Sequence, residues 1–167
     1  MSTLIKLAGG TAAWADDDFV MVGLEDSVPL SGKVILPLSR YAAEAPAILA
    51  QGRKVGVRLE GSDEVEALAP FLADLSVIVL DFPKFRDGRS FSSARLLRER
   101  FGYRGEIRAA GEVLRELAAF MMRCGFDAFE PTDGSTPEEW AATVHRYRHV
   151  YQRAADSRVP AFVEREA

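Results

Sequence analysis

The chain has 167 residues, of which 48% are hydrophobic and 28% are charged, as is typical of one globular domain. Its one cysteine, Cys124, excludes an internal disulfide and any multi-thiolate metal cluster, and the net charge of −4 argues against general nucleic-acid binding. No apolar run approaches the roughly 18 residues that span a bilayer, and residues 1–10 do not resemble a signal peptide. The sequence therefore predicts a cytoplasmic protein without a membrane segment.

Hydrophobic periodicity divides the chain into three parts. Residues 1–32, with a Gly-Gly pair and an acidic run, predict a small hairpin-like β appendage that covers an edge or an end of a sheet. Residues 33–155 predict the main domain, and residues 156–167 predict a loose, charged tail. In the main domain we expect strands at 34–38, 54–59, 76–82, 106–109 and 126–130, and helices at 41–50, 63–75, 92–101, 111–124 and from 135 onward.

This alternation predicts an α/β fold with about five βα units and a mainly parallel sheet. The pattern is compatible with an open sheet and with a sheet that curls into part of a barrel. In either case, ligands of such sheets bind beyond the carboxyl ends of the strands. The segment that follows the third strand, 81–93, is therefore the first place to look for a site.

Basic residues are concentrated around this segment. Residues 84–108 contain eight basic and three acidic side chains, a net charge of +5, so the rest of the chain carries −9. The segment reads Asp-Phe-Pro-Lys-Phe-Arg-Asp-Gly-Arg-Ser-Phe-Ser-Ser. Arginine forks and helix N-termini both bind oxyanions. The residues predicted to bind an anion or to dock a partner are Lys84, Arg86, Arg89, Ser90, Ser92 and Arg108.

Two other features of the segment suggest roles. Asp81, at the strand end, is the candidate general base or orienting carboxylate. The phenylalanines Phe82, Phe85 and Phe91 predict an apolar docking contribution, because exposed loops seldom carry so much apolar surface unpacked. The structural alternative is a solvated loop with local ion pairs, in which Ser90 and Ser92 only cap a helix.

Metal and cofactor chemistry has little support in the residues. His145 and His149 are four residues apart, but no third ligand is evident, and Cys124 is interpreted as a spectator thiol. The dinucleotide fingerprint and the phosphate-binding loop motif are both absent. The sequence therefore predicts neither a metal nor a cofactor.

The block from Phe82 to Ser92, with the Arg-rich 94–100, 103–109 and 111–115 and the Arg-Cys-Gly-Phe-Asp-Ala-Phe of 123–129, resembles the bacterial domain-of-unknown-function family 934. Val55–Leu59 and Tyr151-Gln152 also fit the family pattern. Members of that family are typically encoded beside assimilatory sulfite reductase. The resemblance thus implies a part in sulfate or sulfite reduction for cysteine synthesis.

Two functions follow as hypotheses. The first is an accessory protein of sulfite reduction that docks on the reductase, another sulfur-assimilation enzyme or an electron donor through the basic loop. The second is a small enzyme, for example an oxidoreductase, that acts on an oxyanion or a phosphorylated metabolite. In the second case Lys84, Arg86, Arg89 and Arg108 would hold the anion beside Asp81.

Overall fold

A computed structural model describes residues 4–165 of the chain and shows a mixed α/β fold. Its eight strands are β1 (Leu4–Ala8), β2 (Thr11–Ala15), β3 (Phe19–Met21), β4 (Lys33–Pro37), β5 (Val55–Leu59), β6 (Leu75–Phe82), β7 (Glu106–Gly111) and β8 (Ala128–Phe129). Its α-helices are α1 (Leu38–Leu49), α2 (Arg89–Glu99), α3 (Ala118–Cys124), α4 (Pro137–Val144) and α5 (Ala161–Glu164). Two 3₁₀ segments span Val65–Phe71 and Arg115–Leu117.

All eight strands belong to one sheet, in the order β2-β1-β8-β7-β6-β5-β4-β3. Strands β3 to β8 lie side by side in chain order and pair in parallel. The hairpin β1–β2 joins antiparallel to β8 at the other end of the sheet. The carboxyl ends of the six parallel strands therefore lie along one edge.

The connection between β2 and β3 forces this sheet to curl. These two strands form opposite edges of the sheet, yet only residues 16–18 lie between them. Ala15 and Phe19 can be at most about 15 Å apart along an extended chain. A flat eight-stranded sheet would separate its edges by about 34 Å at the usual strand spacing. The sheet is therefore a curled, open half-barrel, which decides between the two forms that the sequence left open.

The curl gives the sheet two different faces. The helix-covered face carries the main core, in which Val57, Ile78, Leu80 and Ile107 alternate along the central strands. The inner face carries only a small apolar cluster of Ile35, Val77, Val79 and Ala110, with Phe19 and Met21 packed against it. Polar and charged side chains occupy much of the remaining inner face.

Arg108 is the centre of the inner-face charges. Its side chain is 1% exposed, and its Nη1 and Nη2 lie 2.6 and 3.1 Å from the two carboxylate oxygens of Asp17. Glu106 and Glu130 accept further hydrogen bonds at 3.0 and 3.2 Å. Burial lowers the pKa of Arg108, but the Asp17 hydrogen bonds and the carboxylate charges outweigh it and raise that pKa overall. Asp17 lies in the β2–β3 connection, so this ion pair links that connection to strand β7 on the inner face of the sheet.

Two predicted helices are wrong in part. The helix predicted at 63–75 is a 3₁₀ segment, Val65–Phe71, that includes Pro70, which lacks the N–H that a helix interior needs. The helix predicted at 111–124 begins only at Ala118. Gly111 continues β7, and the carbonyl of Val113 accepts from the Thr132 N–H at 3.0 Å. This tertiary bond holds the chain extended. Strands and helical segments do alternate from β4 to α4, but the segment after β5 is only a 3₁₀ turn, so five complete βα units are not confirmed.

The predicted caps and the two chain ends also differ from expectation. Helix α2 begins at Arg89 with Gly88 as its N-cap, so neither Ser90 nor Ser92 caps it. Strands β1 to β3 are integral to both edges of the sheet, where the sequence predicted only a covering appendage. The predicted loose tail contains α5, preceded by a bridge between Val150 and Pro160. Residues 166 and 167 of that tail lie outside the described part.

The last long helix is the element that the sequence predicted best. Thr136 and Glu139 form the reciprocal capping box at its start, and Pro137 occupies the first turn. Trp140 and Val144, four residues apart on one side of this helix, are buried. The helix ends at Val144, however, so Tyr147 and Tyr151 lie in the irregular segment that follows it.

No helix within residues 4–165 is both long enough and apolar enough to cross a bilayer.

We predict that Arg108→Ala lowers the free energy of unfolding by about 3–5 kcal/mol, because it leaves Asp17 and Glu130 without their counter-charge and Glu106 with Lys6 alone. Arg100→Ala is the matched control: Arg100 is 65% exposed and lies 3.6 Å from Glu66, so its loss costs under about 1 kcal/mol. Urea unfolding followed by circular dichroism measures both. A loss below about 1 kcal/mol for Arg108→Ala would show that the curled sheet does not depend on this charge.

Candidate functional site

The loop after β6 lies at the edge formed by the carboxyl ends of the parallel strands. It is held by two backbone contacts: the Phe85 N–H donates to Glu112 Oε2 at 2.6 Å, and the Asp87 N–H donates to the Lys84 carbonyl at 2.8 Å. Glu112 directly follows β7. The two neighbouring strand ends therefore fix the backbone of this loop.

Three consecutive side chains, Lys84-Phe85-Arg86, project from this loop, and we call them the loop tip. Lys84 and Arg86 are exposed, and neither side chain makes a hydrogen bond or ion pair with another residue between 4 and 165. Phe85 is 40% exposed. The loop tip thus presents two free cations on either side of an accessible ring.

Arg89 and the two serines have other partners. Arg89 donates through Nε and Nη2 to Asp87 at 2.9 and 2.5 Å, and these bonds lower the pKa of Asp87 to about 2. The charge of Arg89 is therefore already balanced. Ser90 is buried and donates to the Asp81 carbonyl at 2.6 Å, while Ser92 is exposed.

The three phenylalanines do not share a surface. Phe82 is fully buried, so it is not available for docking, contrary to the sequence prediction. Phe91 is partly buried and contacts Phe82 and Phe126 on its inner side. Its ring also lies 4.7 Å from that of Phe120, which is 55% exposed. Only Phe85 has the exposure that the prediction assigned to all three.

Arg108 is also separated from the loop tip. It points to the inner face of the sheet, where Asp17, Glu106 and Glu130 surround it. A buried guanidinium with three carboxylate partners has little left to offer an incoming anion. Of the predicted site residues, Lys84 and Arg86 therefore lie together at the loop tip. Arg89, Ser90 and Arg108 make contacts that stabilise the fold instead.

Most of the basic side chains in residues 84–108 already form ion pairs with carboxylates of this chain. Five of the eight basic side chains form ion pairs: Arg89, Arg95, Arg98, Arg100 and Arg108. Lys84, Arg86 and Arg104 have no side-chain partner within the described residues. The excess of +5 in the sequence is thus not one basic surface.

A cleft that the sequence did not reveal lies at the ends of β3, β4 and β5. It has a volume of about 360 Å³, and Arg58 lines it together with Glu60 and Asp63. Arg58 Nη2 donates to Asp81 Oδ1 at 2.8 Å, while its buried Nε has no acceptor among the described residues. The signal in the sequence was Arg58 at an alternate position of the apolar strand Val55–Leu59.

The charges of this cleft do not favour a simple oxyanion. Arg58 contributes one positive charge, against the carboxylates of Asp81, Glu60 and Asp63, so the formal sum is −2. Asp81 is 8% exposed, and it orients Arg58 through their hydrogen bond. Its role as a general base remains a prediction.

Two further features concern the thiol and the metal-ligand side chains of residues 4–165. Cys124 is buried at the end of α3, and burial raises the pKa of its thiol to about 11. The described residues contain no group of three or more His, Cys, Asp or Glu side chains placed to hold a metal ion.

We predict that sulfite, sulfate and phosphate, each at about 5 mM and constant ionic strength, leave the melting temperature of the protein within about 1 °C. A site with a dissociation constant near 50 µM would instead gain about 2.7 kcal/mol, a shift of several degrees. Differential scanning fluorimetry measures this, with Arg58→Gln as the matched variant. A stabilisation by one anion that Arg58→Gln abolishes would contradict the prediction and favour the enzyme hypothesis.

Comparison with models of protein families gives a match. Residues 56–162, which include the loop tip and Arg58, match a family described as "Bacterial protein of unknown function (DUF934)". No curated protein matches the chain significantly. The match covers most of the chain and agrees with the resemblance that its central block suggested. This chain belongs to the bacterial protein family of unknown function DUF934.

Proposed function

We propose that this protein is an accessory docking protein of assimilatory sulfite reduction, which contacts a reductase or its electron donor through the loop tip Lys84-Phe85-Arg86. The observation that carries the proposal is the unpaired state of Lys84 and Arg86 on either side of the exposed Phe85. The process, sulfite reduction, is inferred from the gene neighbourhood that the family resemblance implies.

The pairing of charges elsewhere supports a docking role for the loop tip. Free cations steer association with acidic surfaces, whereas cations that are already paired contribute little. An accessible aromatic ring adds the apolar contact that most interface hot spots contain. The loop backbone is bound to Glu112, so little conformational entropy is lost when the loop tip meets a partner.

The alternative, a small enzyme acting on an oxyanion or a phosphorylated metabolite, has support from one feature. Arg58 reaches the strand-end cleft and is oriented by Asp81, as a substrate-binding arginine would be. The carboxylates of Glu60 and Asp63, which also line the cleft, would repel an anionic substrate. We therefore place docking first and keep the enzyme as the second candidate.

The test is co-purification from the native host, grown with sulfate as its sulfur source. Tagged wild-type protein, gently crosslinked, is expected to recover sulfite reductase or another sulfur-assimilation enzyme. Lys84→Glu/Arg86→Glu is expected to lower the recovery at least tenfold, because it places two negative charges on the docking loop. Quantitative mass spectrometry of the recovered proteins gives the ratio.

The matched control is Lys54→Glu/Arg104→Glu. Lys54 and Arg104 are also exposed and free of side-chain partners within 4–165, but they precede β5 and β7 and so lie at the opposite edge of the sheet. This variant is expected to retain the recovery of wild type. Equal losses in the two variants, or no sulfur-assimilation enzyme with wild type, would contradict the proposal.

A further inference from the structure

We infer that the docking surface extends from the loop tip to a groove between α3 and residues 146–158, and that this groove holds an acidic protein segment with one apolar anchor side chain. The inference rests on the proposed docking function and names its partner by chemistry. The sequence did not indicate this surface, because the helix predicted from residue 135 onward would have included Tyr147 and Tyr151.

The groove is small and mainly apolar. Its volume is about 220 Å³, and Ala119, Phe120, Tyr147, Val150 and Tyr151 supply its apolar lining. Phe120, Tyr147 and Tyr151 are 55%, 61% and 89% exposed. Sites for drug-sized ligands have volumes of about 300–1,000 Å³, so this groove suits a single side chain better than a cofactor.

The groove is preformed, although its C-terminal wall has no regular secondary structure. The Ala155 N–H donates to the Arg123 carbonyl at 3.0 Å, and Arg123 Nε lies 3.1 Å from Asp156. Arg158 Nη2 donates to the Arg148 carbonyl at 2.7 Å. These bonds hold the wall against α3, so the aromatic side chains are positioned before a partner arrives.

The charges around the groove determine which kind of partner fits. Residues 146–158 contain four arginines and one acidic residue, a net charge of +3 in a chain whose net charge is −4. Arg148 lies beside the groove, in a depression that shares Tyr147 and Arg158 with it, and Arg146 lies on the other side of Tyr147 in the chain, in a depression that also contains Glu116 and Glu139. Both arginines are exposed, and their side chains have no partner within residues 4–165. Carboxylates on either side of an apolar anchor would pair with these arginines.

An aromatic contact runs from the groove towards the segment that carries the loop tip. Phe120 lines the groove, and its ring lies 4.7 Å from that of Phe91. The Phe91 N–H donates to the carbonyl of Gly88, the last residue before α2 and two residues after Arg86. The loop tip and the groove repeat one pattern, in which cations flank an aromatic ring: Lys84-Phe85-Arg86 and Arg146-Tyr147-Arg148. An acidic partner of the same chemistry suits both.

The test uses purified full-length protein and two fluorescein-labelled nonapeptides. Each peptide has four acidic residues on each side of one central residue. The central residue is phenylalanine in one peptide and alanine in the other. We expect the phenylalanine peptide to bind at least tenfold more tightly by fluorescence anisotropy. Phe120→Ala/Tyr147→Ala should remove that preference, and Arg146→Gln/Arg148→Gln should flatten the salt dependence of binding.

Trp14→Ala is the control variant, since Trp14 is 51% exposed on β2 and lies outside the groove; it should bind as wild type does. Unchanged circular dichroism spectra show that each variant is folded. Equal affinity for the two peptides, or a preference that survives Phe120→Ala/Tyr147→Ala, would overturn the inference. So would tighter binding of a single-stranded twelve-nucleotide thymidine oligomer that displaces the peptide.

This experiment contains no host protein, so its failure is distinct from failure of the proposed process. If the peptide binds as expected but no sulfur-assimilation enzyme is recovered from the host, the inference about the groove is supported and the assignment to sulfite reduction is wrong. If the enzyme is recovered but the peptides bind equally, the partner meets the loop tip and not the groove.

Discussion

The buried ion pair between Arg108 and Asp17 is the interaction on which the shape of this protein depends. The three-residue connection between β2 and β3 brings the two edges of an eight-stranded sheet within reach of each other. The resulting curl encloses Arg108, which cannot stay charged away from water without carboxylate partners. Asp17 lies in this connection and accepts two hydrogen bonds from Arg108. The segment that brings the sheet edges together therefore also neutralises the buried charge.

The need of partly buried arginines for hydrogen-bond acceptors and carboxylates also explains why most of the basic side chains at 84–108 are unavailable to a partner. Arg98 offers a second example: it donates to the carbonyls of Tyr103, Gly105 and Gly125 and pairs with Asp127 at 2.9 Å, which ties α2 to the chain before β7 and β8. Arginines used in this way are part of the framework. The cations that remain free beside exposed aromatic rings, at the loop tip and at Arg146 and Arg148, are the ones that can recognise another molecule.

The sequence predicted the features that depend on neighbouring residues. The central strand β6, predicted at 76–82 from its apolar run, and the helix predicted from residue 135 onward are both found, the helix beginning with a capping box. Features set by distant residues were missed. Thr132 holds Val113 out of a helix, Asp17 neutralises Arg108 across 91 positions, and Asp81 turns Arg58 towards a cleft. A count of charges along the chain contains none of this pairing information.

The central claim, that the loop tip contacts an acidic partner, is tested most directly by carbodiimide crosslinking, which joins a lysine to a carboxylate only when the two are in contact. The chain has four lysines. Lys6 and Lys33 pair with Glu106 and Asp18, while Lys84 and Lys54 are free at opposite edges of the sheet. In sulfate-grown cells of the native host, the account predicts crosslinks from Lys84 to Asp or Glu of a sulfur-assimilation enzyme. Intermolecular crosslinks at Lys54 without any at Lys84 would contradict it.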